Sequence, residues 1–202
     1  VASLKRNLNV EDIICVGDSH VLLLASISGL NVIQTGSPTA YNLLNPNSTE
    51  SGLSKINDAI INKSPFATAI MFTYAEIDIR NHIYKHIMEM GLPLQEAASI
   101  VVDRYLEALH NFAEKGYKIL VNGPFGSGKG VPRFGHEKER NVIASVIDHL
   151  LSEGCEKSGY HYASLLDLVV TPLGLTNDNY VGMVDDNHLD KCNELAFCLL
   201  SR

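Results

Sequence analysis

Basic residues are scarce in this chain: 16 Lys and Arg stand against 23 Asp and Glu, the net charge is −7, and the cations are scattered along the sequence. That excludes the clustered positive footprint of a nucleic-acid binder and disfavours an anionic membrane surface as a partner. Cysteine is sparse as well. Cys15, Cys155, Cys192 and Cys198 show neither paired C-x-x-C spacing nor the density of a disulfide scaffold, so reduced thiols and a cytoplasmic location are expected. No apolar run approaches the about 18 residues that a membrane-spanning helix needs, and no signal-peptide pattern opens the chain. Internal repeats and low-complexity segments are also missing. What is present is a composition of 46% hydrophobic residues over 202 positions, enough for one sizeable core, and a single domain over 1–202 is expected. The first residue is Val1 rather than Met, as in a domain excised from a longer chain.

Read in order, the chain alternates strands and helices. Residues 13–16 form an apolar strand that runs into Gly17, Asp18 and Ser19, and an apolar helical pattern follows towards Gly29. Residues 31–34 read as a second strand stopped by Thr35, Gly36, Ser37 and Pro38. A loop rich in Asn and Ser leads to a helix over about 53–61, and the nearly unbroken apolar run 67–73 has the character of a central strand covered on both faces. After the polar segment 74–90, a long helix begins at Pro93 and is terminated by Gly116, with Val102, Leu106, Leu109 and Ala113 on one face. Residues 118–121 make a fourth strand. A glycine-rich loop precedes a helix over about 137–153 whose stripe is Val142, Ile143, Val146, Ile147, Leu150 and Leu151. A fifth strand is expected within 162–169 and a closing helix over 190–200. The order predicts a three-layer α/β/α fold with a five-stranded parallel sheet.

Ser19 is placed at the carboxyl end of a buried strand and the amino end of a helix, where an α/β sheet binds ligands and where the first backbone N–H groups are unpaired. Asp18 or Ser19 as a simple helix cap is the plain alternative. Near the other terminus, Asp185 lies three residues before His188 in the loop leading to the last helix, a spacing that lets one turn present both side chains to one cleft. A serine hydroxyl is a poor nucleophile at neutral pH; an imidazole can take its proton while a carboxylate holds the ring. A surface turn with Asp190 as a cap is the plain alternative here.

Together, Gly17, Asp18 and Ser19 after the first strand, Gly36 after the second, and Asp185 with His188 before the last helix resemble the sequence blocks of the SGNH (GDSL-type) serine hydrolases. The resemblance spans nearly the whole chain, including the order of elements. It implies the flavodoxin-like SGNH hydrolase fold, with Ser19 as nucleophile, His188 as base and then acid, Asp185 orienting it, and the N–H groups of Ser19 and Gly36 stabilising an oxyanion. The third block departs from the common G-x-N-D pattern: Ala75, Glu76, Ile77 and Asp78 occupy it, followed by Ile79 and Arg80. It is similar instead to the G-E-I-D-C-R variant of a bacterial branch, some of it associated with polysaccharide-modifying proteins. That resemblance implies a substrate site including Glu76, Asp78 and Arg80, with Arg80 or a neighbouring polar group replacing the missing Asn. A Glu76–Arg80 structural ion pair stands beside that reading.

Two rival motifs are weaker. Residues 123–130 nearly match G-x-x-x-x-G-K-[ST], but Gly130 lacks the hydroxyl that holds Mg²⁺ and Pro132 is a poor start for the required helix; a loop rimming the active site is expected there. Asp78, His82 and His86 recur at four-residue intervals, as on a helical face that could bind metal, but without a third compelling ligand they read as a polar face. His82 could instead reach substrate. No metal or organic cofactor is expected, apart from an acyl donor such as acetyl-CoA if the enzyme is a transferase. The expected activity is ester cleavage or O-acyl transfer through an acyl-Ser19 intermediate, on O-acetyl groups of a small-molecule or carbohydrate ester. A catalytically inactive carbohydrate-binding or interaction domain of the same fold is the alternative.

Overall fold

Apolar runs without polar alternation, such as 13–16 and 69–72, are satisfied only where both faces of a strand are covered. The computed structural model, which describes residues 1–126 and 135–177, pairs these two runs at the centre of one sheet. Strands β1 (Asp12–Gly17), β2 (Asn31–Gln34), β3 (Thr68–Thr73), β4 (Lys118–Asn122) and β5 (His161–Ala163) lie in the order β2-β1-β3-β4-β5. Every pairing is parallel. The chain leaves β1 in one direction to form β2 and returns past it to form β3, so the β1/β3 boundary is the switch point at which open α/β sheets hold ligands.

Side chains of β1 and β3 alternate between two cores. Ile14, Val16, Ile70 and Phe72 face the larger core, which α2 (Gly52–Ile60), α5 (Leu94–Ala113) and α6 (Glu137–Ser158) close with Ile56, Phe112 and Ile147. Ile13, Cys15, Ala69 and Met71 face the other, covered by α1 (Ala2–Leu8), the turn after β1 and α7 (Leu166–Val169). This is the expected three-layer α/β/α arrangement with a five-stranded parallel sheet. Cys15 and Cys155 are free and buried, and burial pushes both thiols up to about 12, so they pack as small apolar groups. Cys192 and Cys198 lie outside the described residues. Among the described residues no helix is long and apolar enough to cross a membrane.

Several local expectations are corrected. The segment after β1 is a 3-10 helix, Ser19–Leu24, followed by turns, and not an α-helix reaching Gly29. Its apolar residues are consecutive rather than spaced at helical intervals, and Ser26, Ser28 and Gly29, the last at φ 88, favour turns. The fifth strand spans only His161–Ala163; Ser164 then accepts a hydrogen bond from the Leu166 N–H at 3.1 Å and starts α7. Helix α6 continues to Ser158, where Gly159 at φ 70 ends it. Val142, expected in its buried stripe, is 53% exposed, because the row Ile143, Ile147 and Leu151 faces the sheet.

The third block is helical with a defect. Helix α3 (Glu76–Asp78), a π-helical turn (Ile79–Ile83) and α4 (Tyr84–Met90) follow one another without a break. Ala75, at the start, has φ 92, the left-handed conformation that a glycine adopts without strain. Relief of about 1–2 kcal/mol of backbone strain in Ala75→Gly is opposed by a lost buried methyl of about 0.8 kcal/mol and about 0.4–1 kcal/mol of added unfolded-state entropy. The expected net change in urea denaturation is therefore under about 1 kcal/mol, whereas Ala75→Val, β-branched at positive φ, costs more than about 2 kcal/mol. A loss of that size in the glycine variant would contradict the strained assignment.

Candidate active site

The sheet brings the candidate residues to one edge. Gln34, Gly17, Thr73, Asn122 and Ala163, the last residues of the five strands, form one registered row. Asp18, Thr35 and Tyr74 are the next residues after β1, β2 and β3, and Ser19 and Gly36 lie one step further. A side chain at position 17 has no room: a Cβ there would lie 2.4 Å from the Thr73 carbonyl oxygen and 2.9 Å from the Val21 Cβ. Glycine lets the strand end lie against β3, with the Asp18 N–H donating to the Thr73 carbonyl at 3.3 Å.

Helix capping and the candidate nucleophile are separate residues. Asp18 is the cap: its Oδ1 accepts from the His20 N–H at 2.8 Å and lies 2.9 Å from His20 Nδ1. Both side chains are buried, and the His20 ring stacks on Phe125 with centroids 5.5 Å apart. Ser19, half-buried between them, is the first residue of the helix. Asp185 and His188 lie outside the described residues.

The loop after β2 is tied down on every side. The Gly17 carbonyl accepts from both the N–H and the hydroxyl of Thr35, each at 2.9 Å. With that proton committed, the Tyr74 hydroxyl, 2.9 Å away, must donate to Thr35 Oγ1. Lys55 Nζ donates to the Thr35 carbonyl at 2.6 Å, and the Ser37 N–H donates to Glu50 Oε2 at 3.0 Å. Gly36 sits between these anchors at φ 98, and its own N–H donates to no acceptor among the described residues.

The third block supports this loop from below. Asp78 is fully buried and its two carboxylate oxygens accept from the N–H groups of Ala40 at 2.7 Å and Tyr41 at 3.0 Å. It therefore holds the loop in place. Arg80 Nη2 donates to the buried Glu76 Oε2 at 2.7 Å, the i,i+4 ion pair that stood as the alternative to a substrate role, while Arg80 Nε is buried without an acceptor among the described residues. His82 does not join Asp78: it stacks on Tyr41 at 4.8 Å and lies 3.3 Å from the Asn42 side-chain amide. Burial, with His86, Lys85 and Arg104 nearby, holds its pKa below the usual histidine value. Among the described residues no group of three potential ligands could hold a metal ion.

The glycine-rich stretch has a packing explanation where it is described. A Cβ at Gly123 would lie 2.4 Å from the Tyr162 hydroxyl, and one at Gly126 would lie 2.8 Å from Val170 Cγ2. Residues 127–134 lie outside the described residues. Sequence reasoning singled out neither His20, Thr35, Tyr74 nor Lys55. Position 20 adjoins the Gly-Asp-Ser block and carried a signal; the contacts of Lys55 and Tyr74 join residues 20 and 39 positions from Thr35 and left none.

Asp78 links the site to pH. Burial is the largest cause of its shift and outweighs the backbone N–H donors of Tyr41, Ala40 and Asp78 itself, moving its pKa from 3.8 to about 7. Between about pH 4 and 7 the folded protein retains a proton that the unfolded chain has lost, so this group's contribution falls as pH rises through that window and is flat above it. Wild type should lose stability relative to Asp78→Asn between about pH 4 and 7, by an amount on the order of a few kcal/mol. Paired urea titrations at several pH values test this; a wild-type-minus-variant difference that does not move with pH would rule it out.

No protein-family model matches the chain, and no curated protein matches it. Solved structures do. A GDSL-like lipase from Bacteroides thetaiotaomicron superposes with a TM-score of 0.63 at 11% identity, over 99% of this chain and 93% of that one. A carbohydrate acetylesterase from Sinorhizobium meliloti gives 0.61 at 14% identity, over 95% and 97% of the two chains. Phospholipase A1 from Streptomyces albidoflavus gives 0.56 at 12% identity, over 95% and 98%. At these identities the likeness is one of backbone architecture, and it extends over nearly the full length of each chain. With Ser19 after β1 and Gly36 after β2, the chain has the fold of the SGNH/GDSL-type serine hydrolases.

Proposed function

We propose that this protein is a serine-dependent ester hydrolase or O-acyltransferase that works through an acyl-Ser19 intermediate on O-acetyl groups of a carbohydrate. The observation that carries the reading is the pairing of a strand-end serine with a rigidly held Gly36 whose N–H donates to nothing among the described residues. In the proposed reaction His188, oriented by Asp185, takes the Ser19 proton as Oγ bonds to the ester carbonyl carbon, and the carbonyl electron pair moves onto oxygen. The Ser19 and Gly36 N–H groups stabilise that oxyanion. Collapse breaks the bond to the leaving alkoxide, which takes the proton from His188. Water, or a second sugar hydroxyl, then attacks the acyl carbon with His188 again accepting the proton, and collapse breaks the bond to Ser19 Oγ, which takes that proton back as the acid or acetyl-sugar leaves.

The carbohydrate part of the proposal draws on two supports. One structural neighbour is described as a carbohydrate acetylesterase. A cleft of about 420 Å³ lined by Tyr41, Leu44, Asn45, Arg104 and Glu107 also offers the mixed donors and acceptors that sugar hydroxyls require. Arg80 is assigned a share of oxyanion stabilisation because its buried Nε–H has no described acceptor.

Hydrolysis of p-nitrophenyl acetate, with and without an oligosaccharide acceptor, tests the scheme. Ser19→Ala should lower kcat by about 10³-fold or more and abolish labelling by a serine-directed phosphonate. Acetyl-sugar formed only with acceptor identifies a transferase, and release of acetate alone identifies a hydrolase. Equal rates in wild type and Ser19→Ala would reject Ser19, and an inert, unlabelled wild type would favour a binding domain. Arg80→Ala should reduce kcat by roughly 10-fold; a wild-type kcat in that variant removes Arg80 from the scheme.

A further inference from the structure

The anchors around Gly36 support an inference that rests on the reading of Ser19 and Gly36 above and concerns a residue outside that reaction scheme. We propose that Lys55 is a positioning residue that polarises the Gly36 oxyanion donor through the intervening peptide group. The Thr35 carbonyl and the Gly36 N–H are the two ends of one planar amide and point in opposite directions. Lys55 Nζ donates to that carbonyl oxygen at 2.6 Å, a charge-assisted bond. Drawing electron density onto the oxygen increases the amide's C–N double-bond character and makes the N–H at the other end a stronger donor, the cooperative effect of hydrogen bonds in series. The same bond fixes the amide plane and hence the direction of the N–H. Because oxygen and hydrogen are on opposite sides of the amide, Lys55 acts without touching the substrate.

Neighbouring contacts show that this geometry is built. Glu50 Oε2 accepts from the Ser37 N–H at 3.0 Å, so the peptide on the other side of Gly36 is anchored too. A Cβ at position 36 would fall 2.9 Å from Glu50 Oε2 and 3.0 Å from Lys55 Nζ, and the backbone there already has φ 98. Glycine thus admits the two charged side chains to the backbone. The Thr35 N–H is itself bonded to the Gly17 carbonyl at 2.9 Å, which ties the polarised peptide to the strand end that carries Ser19. Lys55 belongs to α2, an element that otherwise serves the core through Ile56 and Ile60.

The test compares Lys55→Met, which keeps the aliphatic stem and removes the charge, with Lys55→Arg, which keeps the charge. Kinetics on p-nitrophenyl acetate are combined with affinity for a boronic acid, whose tetrahedral adduct with a serine occupies the oxyanion position. The expected result for Lys55→Met is a kcat about 10-fold lower with KM within about two-fold of wild type. Boronate affinity should fall in parallel and the melting temperature should be nearly unchanged. Lys55→Arg should recover most of the loss. Wild-type kcat and boronate affinity in Lys55→Met would overturn the inference while leaving Ser19 in place. So would equal losses in kcat and stability, which indicate a purely structural role, or no recovery with Arg. If wild-type protein neither turns over the ester nor labels at Ser19 with a phosphonate, the underlying reading fails first and this inference falls with it.

Discussion

The contact between the end of β1 and the end of β3 organises the site. Gly17 lies so close to Thr73 that a methyl group would collide with a backbone oxygen, and this closeness lets the chain turn out of the sheet at Asp18. The Gly17 carbonyl, turned towards β2, accepts two bonds from Thr35, and Thr35 in turn accepts from Tyr74 at the end of β3. One glycine therefore joins the three strands whose next residues form the candidate site. A parallel sheet alone sets strand ends side by side at the spacing of its ladder; the hydrogen bonds beyond the ladder determine where Ser19 and Gly36 stand relative to one another.

The altered third block is best understood as support for that arrangement. Without the glycine and asparagine common at this position, the chain keeps the left-handed turn at Ala75 and turns the carboxylate of Asp78 onto the loop carrying Gly36. Glu76 is neutralised by Arg80, with the buried Arg140 of α6 close by. Charges this deep are retained only when paired or hydrogen-bonded, and here they join the β2 loop, the third block and α6. The third block is thereby tied into a polar framework that reaches the Gly36 loop.

Much of this was legible in the sequence, and the boundary has a physical cause. The central strands were visible because residues 13–16 and 69–72 must be covered on both faces, and the helices over 94–113 and 137–158 because their apolar residues recur at helical spacing. The blocks at Ser19, Gly36 and Glu76 to Arg80 were visible because each couples an unusual residue to the end of an element. The 3-10 geometry after Ser19 was hidden because consecutive apolar residues at 21–24 carry no period. The bonds from Lys55 and Tyr74 to Thr35 were hidden for another reason: they depend on the three-dimensional meeting of segments far apart in the chain, which local pattern does not encode.

The π-helical turn at Ile79–Ile83 decides which way the side chains of this segment face. Such a turn takes up one more residue than the α-helical turn it replaces, so side chains within and beyond it leave the face that four-residue spacing would assign them. Asp78, just before the turn, lies beneath the loop, while His82, within it, rests on Tyr41. The four-residue spacing of Asp78, His82 and His86 therefore does not bring the three side chains together.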